Sequence, residues 1–211
     1  MNYVIIGAGP AGVVAAETLR KNDPEGDITM ISGEGASPYS RMAIPYFLTG
    51  KIEESGTHLR KAKDHYDSNS IKVIAENVSK VDTKKSTVTL SNGDSVSYDK
   101  LLIASGATPV KPPVPGLDRV GVHHCWTLED AHNIVKHAVK GSDVVLMGAG
   151  FIGCIILESL LARGVNLTVV EAEDRMVPRM MNQIGGTMIK DWCIAKGANV
   201  LTSTRATSVD E

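Results

Sequence analysis

Val4-Ile5-Ile6-Gly7-Ala8-Gly9-Pro10-Ala11-Gly12 decides the fold, because the chain repeats it 141 residues later as Val145-Leu146-Met147-Gly148-Ala149-Gly150-Phe151-Ile152-Gly153. Each copy reads as a buried strand, a G-x-G-x-x-G turn and an amphipathic helix, Val13 to Arg20 in the first and Cys154 to Arg163 in the second. Each then reaches a second β-rich run, Asp27-Ile28-Thr29-Met30-Ile31 and Asn166-Leu167-Thr168-Val169-Val170. Two βαβ units follow, with two candidate dinucleotide sites. The first glycine allows the tight strand-to-helix turn, the second lets backbone approach a pyrophosphate, and the third lets helix pack on strand. The phosphates would lie on the positive helix N-terminus. A glycine turn without a ligand is the alternative, and the flanking strand and helix in both copies argue against it.

An acid after the second strand grips a ribose in this arrangement. In the second unit it is Glu171, 18 residues after Gly153. A carboxylate there accepts from both ribose hydroxyls and repels a 2′-phosphate, which predicts NAD(H) over NADP(H). A solvated strand-end glutamate is the alternative. In the first unit the matching position is Ser32 and the nearest acid is Glu34.

Composition narrows the function classes. There are 22 Lys+Arg against 24 Asp+Glu, a net charge of −2, which argues against coating a nucleic acid. Aromatics are only 4% of a chain with 20 glycines, favouring tight turns over base-stacking platforms. Cys125, Cys154 and Cys193 stand 29 and 39 residues apart without any C-x-x-C pair, so neither a zinc ribbon nor a thioredoxin-type centre is expected. So sparse a count fits a reducing compartment. The N-terminus enters a strand directly, without a signal-peptide pattern. The longest uncharged stretch, Val144 to Leu157, has 14 residues where a membrane span needs about 20. The expectation is a cytoplasmic protein without a membrane span.

Two fingerprints at this separation resemble the flavoprotein pyridine nucleotide-disulfide oxidoreductase superfamily. Tyr98-Asp99-Lys100-Leu101-Leu102-Ile103-Ala104-Ser105-Gly106-Ala107-Thr108-Pro109 is similar to its "YDKLIIATGA-P" segment, with Ser105 keeping the hydroxyl of the usual threonine. Pro38-Tyr39-Ser40-Arg41 resembles its flavin-contacting "PY-R" loop, and Glu171 to Arg179 resembles the segment that follows its NAD-ribose acid. The resemblance implies an α/β chain of two Rossmann-like three-layer units, the FAD/NAD(P)-binding fold. FAD would lie on Gly7, Gly9, Pro10, Ala11, Gly12, Glu34, Arg41, Ser105 and Gly106. NAD(H) would lie on Gly148, Gly150, Phe151, Ile152, Gly153 and Glu171. Residues 1–112 would be the N-terminal part of the FAD domain and 113–211 part of the NAD domain. The superfamily pattern continues with a second FAD segment and an interface domain, so a sequence stopping at Ala206 to Glu211 reads as a fragment with the C-terminal part missing.

The departures carry chemistry. Thiol-dependent members place a redox cysteine in "S-C-G-I-P-Y", where this chain reads Arg41-Met42-Ala43-Ile44-Pro45-Tyr46. A thioether at Met42 forms neither a thiolate nor a mixed disulfide. What remains is similar to the cysteine-free branch, the rubredoxin or ferredoxin reductases and the flavin module of NADH nitrite reductase. Tyr46 stands where the ferredoxin-reductase members place a lysine near the flavin, and Ile155 where many members have a glutamate. The implied activity is an FAD-dependent oxidoreductase taking hydride from NADH and passing electrons to an external acceptor, either a small electron-carrier protein or a small molecule. No side-chain nucleophile and no metal are expected, and a homodimer is compatible with the full-length form. The alternatives are a thiol-dependent NADH oxidase or coenzyme A disulfide reductase relative, and a non-catalytic nucleotide-binding module.

Other elements are read locally. Lys61 to Tyr66 is expected as a short helix, Ile71 to Ile74 as a strand, and Val88 to Leu90 and Ser95 to Tyr98 as a hairpin around Asn92-Gly93. Lys84-Lys85 reads as a hairpin-end charge cluster. Pro109, Pro112, Pro113 and Pro115 mark a stiff linker. Glu129 to Lys140 is expected as a helix capped by Thr127. Cys154, at a helix N-terminus, is either a thiol with a lowered pKa or, the favoured reading, a small packing residue. His123 and His124 are expected in a strand, facing opposite ways and so poorly placed as a metal pair. His132 and His137 are expected as solvated helix positions.

Overall fold

A computed structural model describes residues 1–210, which divide into two compact units. Unit 1 is Met1–Arg41 with Glu54–Thr108, and unit 2 is Met42–Glu53 with Pro109 onward. The segment Met42–Glu53 thus leaves the first unit's chain and belongs to the second.

Unit 1 is built on a parallel sheet in the order β3-β2-β1-β7, from β1 (Asn2–Ile6), β2 (Asp27–Ser32), β3 (Ile71–Ala75) and β7 (Lys100–Ile103). Helix α1 (Pro10–Asn22) crosses between β1 and β2. Side chains alternate across the strands, and each face finds a different cover. Ile5, Ile28, Met30 and Ile71 pack with Val13 and Ala16 of α1 and with Tyr66 of α3 (His65–Ser68). Val4 and Ile31 face the other way, onto Val88 and Leu90. These belong to an antiparallel meander of β4 (Val78–Asp82), β5 (Thr87–Leu90) and β6 (Ser95–Ser97). Helices, parallel sheet and meander make the expected three layers. Asn92-Gly93 turns the β5–β6 hairpin with Gly93 at φ +94°, and the Asp82 carboxylate accepts from the amides of Lys84 and Lys85 at the β4–β5 turn.

Unit 2 carries a parallel sheet in the order β10-β9-β8, from β8 (Asp143–Met147), β9 (Asn166–Val170) and β10 (Asn199–Leu201). Its helices are α2 (Ile44–Leu48), α4 (Leu128–His137), α5 (Phe151–Ala162) and α6 (Gln183–Ala195). Thr127 caps α4 in a full capping box, its hydroxyl accepting from the Asp130 amide while the Asp130 carboxylate accepts from Thr127 N–H. Among the described residues no helix is long and apolar enough to cross a membrane.

Three local expectations are corrected. Strand β8 is not buried: Val145 is 63% exposed, and among the described residues β8 pairs only with β9, at the edge of its sheet. A run of apolar residues identifies a strand without saying whether neighbours cover it. The helix expected over Lys61–Tyr66 forms at His65–Ser68, since Arg60 and His65 are both tied to Glu17 and hold the intervening residues in a turn. His123 and His124 lie in a loop rather than a strand, and no strand pairs with that stretch among the described residues.

Candidate nucleotide sites

The two glycine loops adopt nearly the same backbone. Gly7 and Gly148 sit at φ +109° and +93°, a region that L side chains rarely enter. Gly7 N–H donates to Ile31 O at 2.8 Å, and Gly148 N–H to Val170 O at 2.8 Å. Gly9 and Gly150 then cap α1 and α5 with φ −75° and −70° and no side-chain capping bond. The first-turn N–H groups of both helices are therefore left without a side-chain acceptor, at the positive end of the helix dipole.

The three glycines of each loop differ in what a side chain would meet. A Cβ on Gly12 would lie 1.9 Å from Gly7 O, and one on Gly153 would lie 2.5 Å from Gly148 O, so these positions exist for helix-to-strand packing. A Cβ on Gly9 or Gly150 meets nothing within 4 Å. The middle glycines face open space in front of the helix N-terminus, the volume an anionic pyrophosphate would fill. Pro10 and Ala11 open α1, and Phe151 and Ile152 open α5 with both side chains about half exposed.

In unit 1 three loops meet at the carboxyl ends of the parallel strands, where α/β sheets bind ligands. A Cβ on Gly7 would come 2.2 Å from Ala104 O and 3.1 Å from Ser105 N, so the loop carrying Ser105 and Gly106 abuts the glycine turn. Glu34 follows β2. Arg41 Nη2 donates to Glu34 Oε1 at 2.7 Å, Arg41 Nη1 donates to the Tyr39 hydroxyl at 2.8 Å, and that hydroxyl donates to Glu34 Oε2. Burial works to lower the Arg41 pKa, but its bonds to Glu34 and Tyr39 outweigh it and leave the guanidinium raised. Tyr39, a residue only 7% exposed, closes this ring with its hydroxyl, a role that sequence spacing does not show.

In unit 2 the Glu171 carboxylate is held by backbone alone. Oε2 accepts from Ala149 N–H at 2.7 Å and Oε1 from Glu173 N–H at 2.8 Å. Glu171 is 7% exposed, so it is not a solvated strand-end residue. Among the described residues no cation pairs with Glu171, which stands at the edge of the glycine loop. Val177 reinforces the same loop: its N–H donates to Ala149 O at 2.8 Å, with Val177 itself at φ +49° and buried. A β-branched residue in that region is strained. Ala149, the middle residue of Gly148-Ala149-Gly150, is thus held through its N–H by Glu171 and through its carbonyl by Val177.

The thiols play no visible part. Burial, with the nearby Glu171 carboxylate, raises the Cys154 pKa instead of the helix dipole lowering it, and burial pushes Cys125 up to about 12 and Cys193 to about 11. Met42 stands exposed at the position that holds a redox cysteine in the thiol-dependent pattern, and Tyr46 is 56% exposed on α2.

The family model described as Pyridine nucleotide-disulphide oxidoreductase matches residues 1–211. The chain is 30% identical to a rubredoxin-NAD(+) reductase of Pseudomonas putida, covering 99% of this chain and 54% of that protein. It is also 30% identical to the epsilon subunit of NADH-dependent phenylglyoxylate dehydrogenase from Aromatoleum evansii, covering 99% and 49%. Among solved structures, an NAD-dependent persulfide reductase from A. fulgidus superposes with a TM-score of 0.92 at 30% identity, over 100% of this chain and 41% of that one. The chain spans about half the length of the curated relatives it matches.

Proposed function

Because the chain belongs to the pyridine nucleotide-disulphide oxidoreductase family, we propose that it is the nucleotide-binding part of an FAD-dependent NADH oxidoreductase that passes electrons to an external acceptor. The observation that carries this reading is the doubled loop, with Gly9 and Gly150 opening onto free space before uncapped helices and, in unit 2, Glu171 bonded to the loop at Ala149 N–H. On this reading unit 1 is the FAD half, with Gly7, Gly9, Pro10, Ala11 and Gly12 along the pyrophosphate, Glu34 and Arg41 toward the ribose side, and Ser105 and Gly106 at the adjoining loop. Unit 2 is the NADH half, with Gly148, Gly150, Phe151, Ile152 and Gly153 around the pyrophosphate and Glu171 at the ribose. Bound flavin would supply the hydride acceptance and electron release that no side chain here provides.

The two acids do different work. Arg41 pairs with Glu34, whereas among the described residues no cation pairs with Glu171, so a 2′-phosphate is disfavoured beside that acid in unit 2 and NADH is favoured over NADPH. Met42 and the raised thiols speak against thiol chemistry, although a persulfide reductase is among the structural relatives. The name of the Pseudomonas relative supports a small electron-carrier protein such as rubredoxin as the acceptor, and the sparse cysteines support a cytoplasmic setting.

An anaerobic visible spectrum of the purified protein, before and after NADH, tests the reading. The expected result is a flavin band that NADH bleaches and NADPH bleaches far less. A protein carrying FAD that NADH leaves oxidised would overturn it, and one that binds NADH yet takes up no FAD, in a chain of the relatives' length, would favour a binding module.

A further inference from the structure

We propose that His123 and His137 form a two-imidazole chelating site for a divalent late-transition-metal ion such as Ni2+ or Zn2+. Fourteen residues separate the two in sequence, yet His123 Nε2 lies 3.1 Å from His137 Nδ1, with ring centroids 5.2 Å apart and planes within 10°. Two nitrogens each bound to one zinc at about 2.0–2.1 Å stand about 2.9–3.4 Å apart as the ligand angle opens from square to tetrahedral. The two ring nitrogens are already at chelating separation. With the remaining hydrogens on His123 Nδ1 and His137 Nε2, both inner lone pairs are available, and imidazole suits these metals.

The surroundings fit such a site. His137 is exposed and His123 half-buried, so an ion is not stripped of all its water and solvent completes the coordination. No group of three or more His, Cys, Asp or Glu is poised to hold a metal among the described residues, so the protein supplies two ligands. The side chains come from different elements. His137 ends α4, where its carbonyl accepts from Ser142 Oγ at 3.3 Å, and His123 sits in the loop leading to the Thr127 cap. A bound ion would pin that loop to the helix. The site also stands apart from the nucleotide loop. Helix α4 ends beside the start of β8, whereas Gly148 follows its far end, and five strand residues span about 17 Å. The proposal does not rest on the nucleotide reading.

Calorimetric titration of the whole chain with Ni2+ tests it, with EDTA reversal and circular dichroism as a folding control. One ion per chain is expected, with affinity falling at least tenfold in His123→Gln and in His137→Gln. His124→Gln and His132→Gln should bind as the parent does, and saturating Ni2+ should leave NADH binding unchanged. Absence of binding by the parent chain would overturn the site. So would equal affinity in either variant of the pair with its fold intact, and the 3.1 Å contact would then be a hydrogen bond and nothing more.

Discussion

At the residue scale the glycines of one motif separate into two kinds, and the separation is measurable. Gly12→Ala and Gly153→Ala put a methyl within 1.9 and 2.5 Å of a backbone oxygen that cannot swing aside. Each should cost about 3 kcal/mol or more in urea unfolding. Gly9→Ala and Gly150→Ala place the same methyl in open space at an ordinary φ, so stability should change by about 0.5 kcal/mol or less. Nucleotide affinity should nevertheless fall at least tenfold, because the methyl occupies the path of the pyrophosphate. If Gly9→Ala and Gly150→Ala bind FAD and NADH like the parent, the loops do not hold pyrophosphates. The strand, glycine turn and following acid of each loop were legible in the sequence, since they follow one another locally. The hydroxyl of Tyr39 and the strained backbone of Val177 were not legible. Both act through partners that only the folded chain brings near, and spacing alone gives no sign of them.

At the element scale Arg163 and Glu17 fasten neighbouring segments. Arg163, just past α5, donates from Nη1 to Leu48 O at 2.8 Å, from Nη2 to Val135 O at 2.7 Å and from Nε to Ala138 O at 2.7 Å. Ser159 Oγ adds a bond to Pro45 O at 3.1 Å. One guanidinium thus satisfies the orphan carbonyls ending α2 and α4, which helix geometry leaves without partners. Arg163→Met should cost about 2–4 kcal/mol, read as a Tm lower by about 5–10 °C, and Arg163→Lys should recover little because a lysine lacks the planar fork. A melting point unchanged in Arg163→Met would mean that water serves those carbonyls equally well. In unit 1, Arg60 binds Glu17 with two bonds of 2.6 Å, and His65 Nε2 stands 2.8 Å from the same carboxylate. The Arg60 hydrogen bond is the largest cause of a lowered Glu17 pKa, ahead of the opposing burial. A carboxyl whose folded pKa lies below its unfolded value contributes stability that is present above the unfolded pKa and lost as pH falls through the folded one. Acid unfolding of the parent should therefore begin below about pH 4.5 with a contribution that Glu17→Gln removes, and identical profiles for the two would sink the assignment. The sequence foretold the Thr127 cap of α4 and the Asn92-Gly93 hairpin because their signals are local, although α4 ends at His137 and not at the expected Lys140. It misplaced α3 because Glu17, 43 residues away from Arg60, decides where that helix can start.

At the scale of the whole molecule, the repeated fingerprint gave the α/β class and the two nucleotide folds directly, since each βαβ unit is complete within about 30 residues. What a single sequence conceals is which strand edges and helix faces are covered. In unit 1, β7 pairs with β1 on one side and with no strand on the other among the described residues, and Leu102 and Ile103 are 41% and 64% exposed. An open groove of about 510 Å³ beside it is lined by Tyr3, Val14, Leu19, Leu101 and Leu102, with Val14 itself 56% exposed. An unpaired edge bordered by apolar side chains is the kind of surface that recruits another chain, because edge N–H and C=O groups and the apolar area gain partners together. The 211-residue chain should therefore associate as its concentration rises, with light scattering giving masses above the 22.5 kDa of one chain. Ile103→Lys, which places a charge on the exposed edge, should return the mass toward one chain and weaken binding of a hydrophobic dye. Its folding is checked by an unchanged melting profile. A parent chain that stays at 22.5 kDa at high concentration would show that the β7 edge is not adhesive. Association that persists in Ile103→Lys would place the contact elsewhere, and the exposed face of α6 with Ile184, Met188 and Trp192 is the next surface to alter.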